Sequence, residues 1–311
     1  MYKGLIEDIK RSEVLDRIIN NDRSIKKTLL RRGYTYQSDK QNASKKLLME
    51  LPVIDRTPVD SFYQLMQEQS NRVILKKLCS LNHGFTKEQM QKNWAPEKID
   101  SLLSRLQDLK IIVSTPSQNF QLQNPHAEFG ENLEWYVAEL FRREFYGTAD
   151  WGVHIVEAPA GGDYDVLARL ENQLVYVECK AKRPDSVKES EFISFLKRDE
   201  FLRPHMAIFF IDSTDKIAPV ENMFNNIGEN IGKLKVEHGV ANTFGQPPYT
   251  ERIDKNVCHF QGRLFIANSR KPALDTFKFC LRHRHRTGVQ DQATSGSFWL
   301  HQELNKVEKW W

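Results

Sequence analysis

Apolar residues recur along this chain with two different periods, and the switch between them divides it. Up to about residue 122 the spacing is helical. Beyond about residue 150, short alternating or continuous apolar runs take turns with helical stretches. Residues 1 to 60 read as two or three polar helices, among them Leu5 to Ile19 and Ala43 to Glu50, closed by Pro52 and Pro58. From Ser61 the pattern sharpens. A helix holds Val73, Ile74, Leu75 and Leu78, a turn falls at Asn82-His83-Gly84, and Thr86 caps a helix that turns Met90 inward. A third helix, opened by Ala95-Pro96, buries Ile99, Leu102, Leu103, Leu106 and Leu109. Ile111-Ile112-Val113, a polar turn and Phe120-Gln121-Leu122 then read as strand, wing and strand.

After Asn124-Pro125 a helix over Glu131 to Phe145 carries the stripe Leu133, Val137, Leu140, Phe141. Strands follow at Val153 to Ala158, Asp165 to Leu170 and Leu174 to Lys180. Next come a helix at Ser186 to Arg198, a strand at His205 to Ile211, a helix at Pro219 to Val236, a strand at Arg263 to Ala267 and a helix at Pro272 to Leu281. This alternation predicts a mixed α/β sheet. Thr287 to Ser297 reads as a loop before a final short helix ending in Trp310-Trp311. The fold class expected is therefore α+β and multidomain. Its parts are a helical region at 1–60, a three-helix and wing region at 61–123, and a mixed α/β unit at 124–311.

Composition narrows the class without naming it. The chain has 311 residues, 28% charged and 40% hydrophobic, the profile of an ordinary globular protein. No apolar run is long enough to span a bilayer, and the first residues contain no signal-peptide core, so no membrane is expected and the cytoplasm is the expected compartment. The four cysteines are far apart and suggest neither a zinc site nor a disulfide framework. A net charge of +4 is too small for general polyanion binding, so contact with nucleic acid has to come from local clusters. Three are candidates: Lys26-Lys27 with Arg31-Arg32, Lys180 to Arg183, and Arg282 to Arg286. The arginines beside His283 and His285 would repel a cation, and no metal is expected there. Walker, Rossmann and Gly-x-Ser-x-Gly motifs and internal repeats are absent from the sequence, which sets aside motor, dinucleotide and serine-hydrolase classes.

The chemistry concentrates in Asp165-Val-Leu-Ala-Arg-Leu170 and Leu174-Val-Tyr-Val-Glu-Cys-Lys180, two strands joined closely enough for an antiparallel hairpin. Every second side chain on a strand shares a face, so Glu178 and Lys180 project together and pairing brings Asp165 alongside. Charges on apolar strands are costly unless paired or bound to metal. Two carboxylates suit Mg²⁺ or Mn²⁺, which polarises a scissile phosphate, with Lys180 offsetting transition-state charge and the Cys179 carbonyl as a further ligand. Glu134 falls beside the apolar stripe of its helix and points toward the sheet edge. The ordinary alternatives are a structural acid–lysine pair and a solvated glutamate in a helix's first turn.

Together, Glu134 in Gly-Glu-Asn-Leu-Glu-Trp-Tyr-Val, Asp165 in Gly-Gly-Asp-Tyr-Asp-Val-Leu and Glu178-Cys179-Lys180 resemble the PD-(D/E)XK, or restriction-endonuclease-like, nuclease superfamily over about residues 126 to 285. The local wording is similar to nuclease domains of CRISPR-accessory effectors. The resemblance implies a mixed sheet flanked by helices, phosphodiester hydrolysis with a divalent metal, Asp165 and Glu178 as metal ligands, Lys180 as catalytic lysine and Glu134 as the helix-borne acid. No proline immediately precedes Asp165. Asp163 competes for its role, and Asp165 is preferred because the apolar strand starts right after it. Residues 61–123 resemble a winged helix-turn-helix, whose third helix exposes Lys98, Arg105 and Lys110 among acids. DNA contact and protein contact are equally open for it.

The function expected is a metal-dependent endonuclease acting on DNA rather than RNA, in restriction or anti-phage defence, with Lys182 and Arg183 as nucleic-acid contacts. A structure-selective repair or recombination nuclease and a non-catalytic winged-helix assembly subunit are the alternatives. A homodimer or a partner in a larger complex is left open. The N-terminal half has helices where a signal-sensing domain would alternate strands, so activation by a cyclic nucleotide is not expected.

Overall fold

The alternating runs assemble into one mixed sheet. The computed structural model describes residues 24–38, 44–51, 55–81, 84–116, 119–158, 163–237, 251–260 and 263–286. The expected helix at Leu5 to Ile19, the turn residues Asn82 and His83, Gly161-Gly162, the 287–297 loop and Trp310-Trp311 lie outside these residues.

Eight strands form the sheet: β1 (Tyr36–Ser38), β4 (Thr148–Ile155), β5 (Asp163–Leu170), β6 (Gln173–Lys180), β7 (Met206–Ile211), β8 (Glu251–Asp254), β9 (Val257–Phe260) and β10 (Leu264–Asn268), in the order β1-β4-β5-β6-β7-β10-β9-β8. The three central strands β6, β7 and β10 run parallel and every other neighbour is antiparallel. Strands covered on both faces read as continuous apolar runs, and Met-Ala-Ile-Phe-Phe-Ile in β7 is buried throughout. On one face lie α6 (Phe129–Glu144) and α9 (Ala273–Arg286). The other face is covered by α1 (Ile25–Arg31), α7 (Glu189–Leu202) and the first turns of α8 (Ala218–Glu237).

Residues 57 to 122 form α2 (Thr57–Gln67), α3 (Gln69–Cys79), α4 (Lys87–Gln91), α5 (Pro96–Asp108) and the hairpin β2 (Ile112–Ser114) and β3 (Phe120–Leu122). Thr86 caps α4 through a reciprocal bond with Gln89, as the sequence indicates. This helical region shares its apolar core with α6. Phe62 stacks on Trp135 at 5.1 Å between ring centroids, and the Tyr63 hydroxyl donates to Glu144 at 2.9 Å. Aromatic pairs of this kind add about 0.5–1.5 kcal/mol beyond the area they bury.

Several local features differ from the expected pattern: Pro58 opens α2 instead of closing a helix, because proline fits a helix's first turn, and the strand expected at Val153 to Ala158 runs from Thr148 to Ile155. Within the region expected to be helical before residue 60, Tyr36–Ser38 is an edge strand paired with β4, because Tyr36 packs against the sheet's second core and its hydroxyl reaches Asp150. In the segment expected to be helical over Ala43 to Glu50, helix is present at Ser44 and Lys45, and Leu47, Leu48 and Met49 are buried on bent backbone. The main-chain amide of Leu48 donates to Asn132 Oδ1 on α6 instead of to a helical carbonyl. The hairpin β8–β9 was not legible, since its four-residue strands are too short to establish a period.

One irregularity positions the site. Trp151 and Val166, opposite each other on β4 and β5, pack into one core, whereas the next pair on the same nominal face, Val153 and Tyr164, packs into the other. Residues two apart on a flat strand share a face, so both strands turn over between these pairs, at Gly152 and Asp165. Gly152 has φ +55°, in the left-handed region that a glycine adopts without strain. The ladder between β5 and β6 runs from Leu170–Gln173 to Val166–Val177 and ends there.

Candidate active site

Where β5 separates from β6, side chains take over the pairing. The Cys179 amide donates to Asp165 Oδ2 at 2.7 Å, so the carboxylate holds the amide with a side-chain oxygen. The N–H and C=O of one strand residue point to the same edge, and the Cys179 carbonyl therefore faces the Asp165 side. Glu178 and Lys180 follow on β6, and Glu134 is in the second turn of α6.

The structure brings Glu134, Asp165, Glu178 and Lys180 into one electrostatic cluster. Burial, then Glu178, pushes the Asp165 carboxyl up to about 7. Glu134 is raised well above the usual carboxylate range by burial, then by Asp165, Glu131 and Glu178. Burial alone would lower the Lys180 pKa, but Glu178 and Asp165 outweigh it and hold the ammonium above its ordinary value. Asp163, the competitor for the Asp165 role, is exposed and sits 2.8 Å from His154 Nδ1, outside the cluster.

Glu178 has a different environment. It is 2% exposed, and its oxygens accept from Lys180 Nζ at 2.8 Å, from Arg198 Nη2 at 2.7 and 2.8 Å, and from the Tyr176 hydroxyl. Arg198 Nε donates in turn to the Tyr176 oxygen at 2.9 Å. Burial opposes the charge on Arg198, and Tyr176 with Glu178 more than restores it, leaving its pKa raised. A buried carboxylate with this many charge-assisted donors is fully compensated.

Among the described residues no group of three or more His, Cys, Asp and Glu side chains is disposed to hold a metal ion. Asp165, Glu134 and the Cys179 carbonyl nevertheless offer the hard oxygen donors that Mg²⁺ and Mn²⁺ take, water completing their coordination. Burial is the first cause of the rise at both carboxyls, and Lys180 offsets it at each only in part. Glu178 fits less well, because a cation would have to displace one of its present partners.

Of the residues expected to touch nucleic acid, Lys182 is joined to the edge of the cluster through Glu191, which also acts on Lys180. Lys182 Nζ is held by both oxygens of Glu191 at 2.6 and 2.7 Å, and Arg183 is 71% exposed beside Asp185 and Asp215. Lys98, on α5, contacts Ser70 and lies 3.5 Å from Glu68. Arg105 is in the last turn of α5, and Lys110 follows it, exposed, with φ +54°. In the first basic cluster, Arg32 donates to the Leu202 and Arg203 carbonyls, a structural role. His283, on α9, has its Nε2 3.2 Å from His259 Nε2.

Sequence reasoning missed Tyr176 and Arg198. Tyr176 was accessible to it, since it alternates with Glu178 on the same strand. Arg198 stands in Lys-Arg-Asp-Glu, which reads as a solvated helix end.

No known family model matches the chain, and no curated protein matches it. Among solved structures, Can2 from Sulfobacillus thermosulfidooxidans in complex with cyclic tetra-adenylate is similar at 16% identity over 65% of this chain and 55% of that one, with a TM-score of 0.41. Protein VC1899 from Vibrio cholerae is similar at 16% identity over 67% and 54%, with a TM-score of 0.35. The chain thus spans little more than half the length of either. Likeness this distant carries no inference about activity, substrate or partners. Among the described residues no helix is long and apolar enough to cross a membrane.

Proposed function

We propose that this chain is a divalent-metal-dependent endonuclease of the PD-(D/E)XK type, hydrolysing phosphodiester bonds with DNA as the first substrate class. The observation that supports the reading is the meeting of Glu134, Asp165, Glu178 and Lys180 where β5 and β6 separate, with the Glu134 and Asp165 carboxyls raised in pKa, first of all by burial. Asp165, the Cys179 carbonyl and Glu134 would hold a Mg²⁺ or Mn²⁺ ion, and Glu178 would join them by exchanging a partner. Such an ion supplies Lewis-acid polarisation of a phosphate and a lowered pKa for water. Lys180, held by Glu178, places its ammonium against the negative charge that builds on the phosphate. Tyr176 and Arg198 fix Glu178, and through it the lysine.

In this reading residues 61–123 are a winged helix that binds DNA or docks a partner, and Lys182 and Arg183 contact substrate beside the site. The first step is to incubate the purified chain and its Asp165→Asn variant with Mg²⁺ or Mn²⁺ and plasmid, linear, branched and single-stranded DNA and RNA. Cleavage by the wild type that is lost in the variant and in chelator is the expected outcome. Cleavage confined to branched DNA would move the role to repair or recombination, and cleavage confined to RNA would replace the substrate.

A second reading is favoured by the saturation of Glu178. Four side chains so well paired can serve as a structural keystone in a binding or assembly subunit. No metal-dependent cutting of any substrate, with no metal-induced rise in Tm, would select it.

A further inference from the structure

Arg72 is the largest charged side chain fully buried among the described residues, at 0% exposure, and it stands in the helical region. Its Nε and Nη2 donate to the Asp212 carboxylate at 2.9 to 3.2 Å. Its Nη1 donates to the Met66 and Gln67 carbonyls, where α2 passes into α3. The guanidinium carbon lies 5.2 Å from the ring centroid of Tyr136, two residues along α6 from Glu134. Asp212 immediately follows β7, is 3% exposed at its side chain, and donates its own amide to the Lys180 carbonyl at 2.8 Å.

We propose that Arg72 is a positioning residue for Lys180, through which the helical region fixes the geometry of the cluster. The inference rests on the nuclease reading above and extends it to residues 57–122. Three of the four cluster residues lie on elements this guanidinium touches or reaches through Asp212: Glu134 on α6 by ring contact, and Glu178 and Lys180 on β6 by two successive hydrogen bonds. A buried ion pair stabilises a fold little better than apolar residues of the same shape, whereas removing one partner is strongly disruptive. What the pair adds is a fixed orientation. Arg72 takes Asp212 from two directions while its remaining nitrogen is tied to two carbonyls, so the end of β7, and the Lys180 carbonyl bonded to it, has one place to be. Whatever docks on α3 is thereby mechanically joined to the lysine.

The test uses the full chain and the variants Arg72→Met, Arg72→Lys, Asp212→Asn, Lys180→Ala and Arg72→Met with Lys180→Ala. Single-turnover cleavage is read below the melting transition, together with DNA Kd and hydrogen exchange at Cys179, Lys180 and Asp212. A misplacement of about 1 Å costs about 10²-fold in rate, and a loss of that order is expected in Arg72→Met with Kd unchanged and faster exchange at those three amides. Arg72→Lys should recover part of the loss, and the double variant should lose no more than Lys180→Ala alone. Should Arg72→Met not fold, Asp212→Asn carries the same expectations. A wild-type rate in a folded variant, additive losses in the double variant, or exchange that quickens evenly across the sheet would overturn the proposal. A wild type that cuts nothing defeats the nuclease reading instead, and the exchange arm still decides whether Arg72 holds the end of β6.

Discussion

The two sides of the cluster solve the same electrostatic problem differently. Toward α7, Glu178 is surrounded by Tyr176, Lys180 and Arg198, and its charge is matched within the protein. Toward α6, burial raises the pKa of both Glu134 and Asp165, with Asp165 adding to the rise at Glu134 and Glu178 to the rise at Asp165. Burial is common to both, so compensation is what separates them. The α7 side is framework whose energy is already realised in folding. The α6 side is where the proposed cation would bind.

The sharpest way to break this comparison is to neutralise one acid on each side and measure stability without metal. Glu178→Gln leaves Arg198 and Lys180 buried with a partner lost, a change of about 3–5 kcal/mol on the scale of broken buried pairs. Its Tm should fall steeply. Asp165→Asn removes a repulsive charge and keeps an oxygen for the Cys179 amide, so its Tm at pH 8 should equal or exceed that of the wild type. Equal losses in the two would erase the distinction.

Lys180→Ala tests the link between the sides. Single-turnover cleavage should drop by roughly two orders of magnitude, the scale of losing one transition-state-stabilising donor, while DNA Kd stays unchanged. An unaltered rate with weakened binding would make the lysine a phosphate contact.

Titration gives a smaller, signed effect. A carboxyl with its folded pKa raised to about 7 holds a proton that the unfolded chain, with a value near 4, has released. Its stabilisation is therefore complete below about pH 4 and is lost as pH rises through about 7. Glu134 acts in the same direction. Thermal melts of the metal-free protein should show stability declining over this window, Asp165→Asn should flatten the decline, and Mg²⁺ or Mn²⁺ at pH 8 should restore Tm in the wild type by mass action. A decline unchanged in the variant would assign it to other groups.

The smallest effect concerns the far end of the molecule. Replacing Lys98, Arg105 and Lys110 with alanine together should weaken DNA binding and reduce its salt dependence, because each lost phosphate contact releases fewer counterions. Residual cleavage should survive at high protein concentration. Affinity and salt slope both at wild-type values would assign this surface to protein docking.

The sequence made the acids and the lysine of the cluster far more legible than the partners that hold them. Asp165, Glu178 and Lys180 lie on adjacent strands whose alternation dictates where they point, and Glu134 follows from a helical stripe. The compensating partners come from elsewhere: Arg198 is 20 residues beyond Glu178, and Arg72 is 140 residues from Asp212. Each stands among other charged or polar residues on an amphipathic helix, where local pattern predicts solvent and only tertiary packing reveals burial. The turn-over at Gly152 was hidden for a related reason, since a strand that changes face keeps its alternation intact.

The edge strand β1 has a kinetic consequence. The Tyr36 hydroxyl finds Asp150 across 114 positions of chain, with the whole helical region between them. Contacts closed over such a span repay their entropy late. During synthesis Tyr36–Ser38 emerges first and waits, unpaired, until β4 follows. This border of the sheet is thus closed by a strand made long before its partner, and loss of the strand should expose the backbone of β4 to association with another chain.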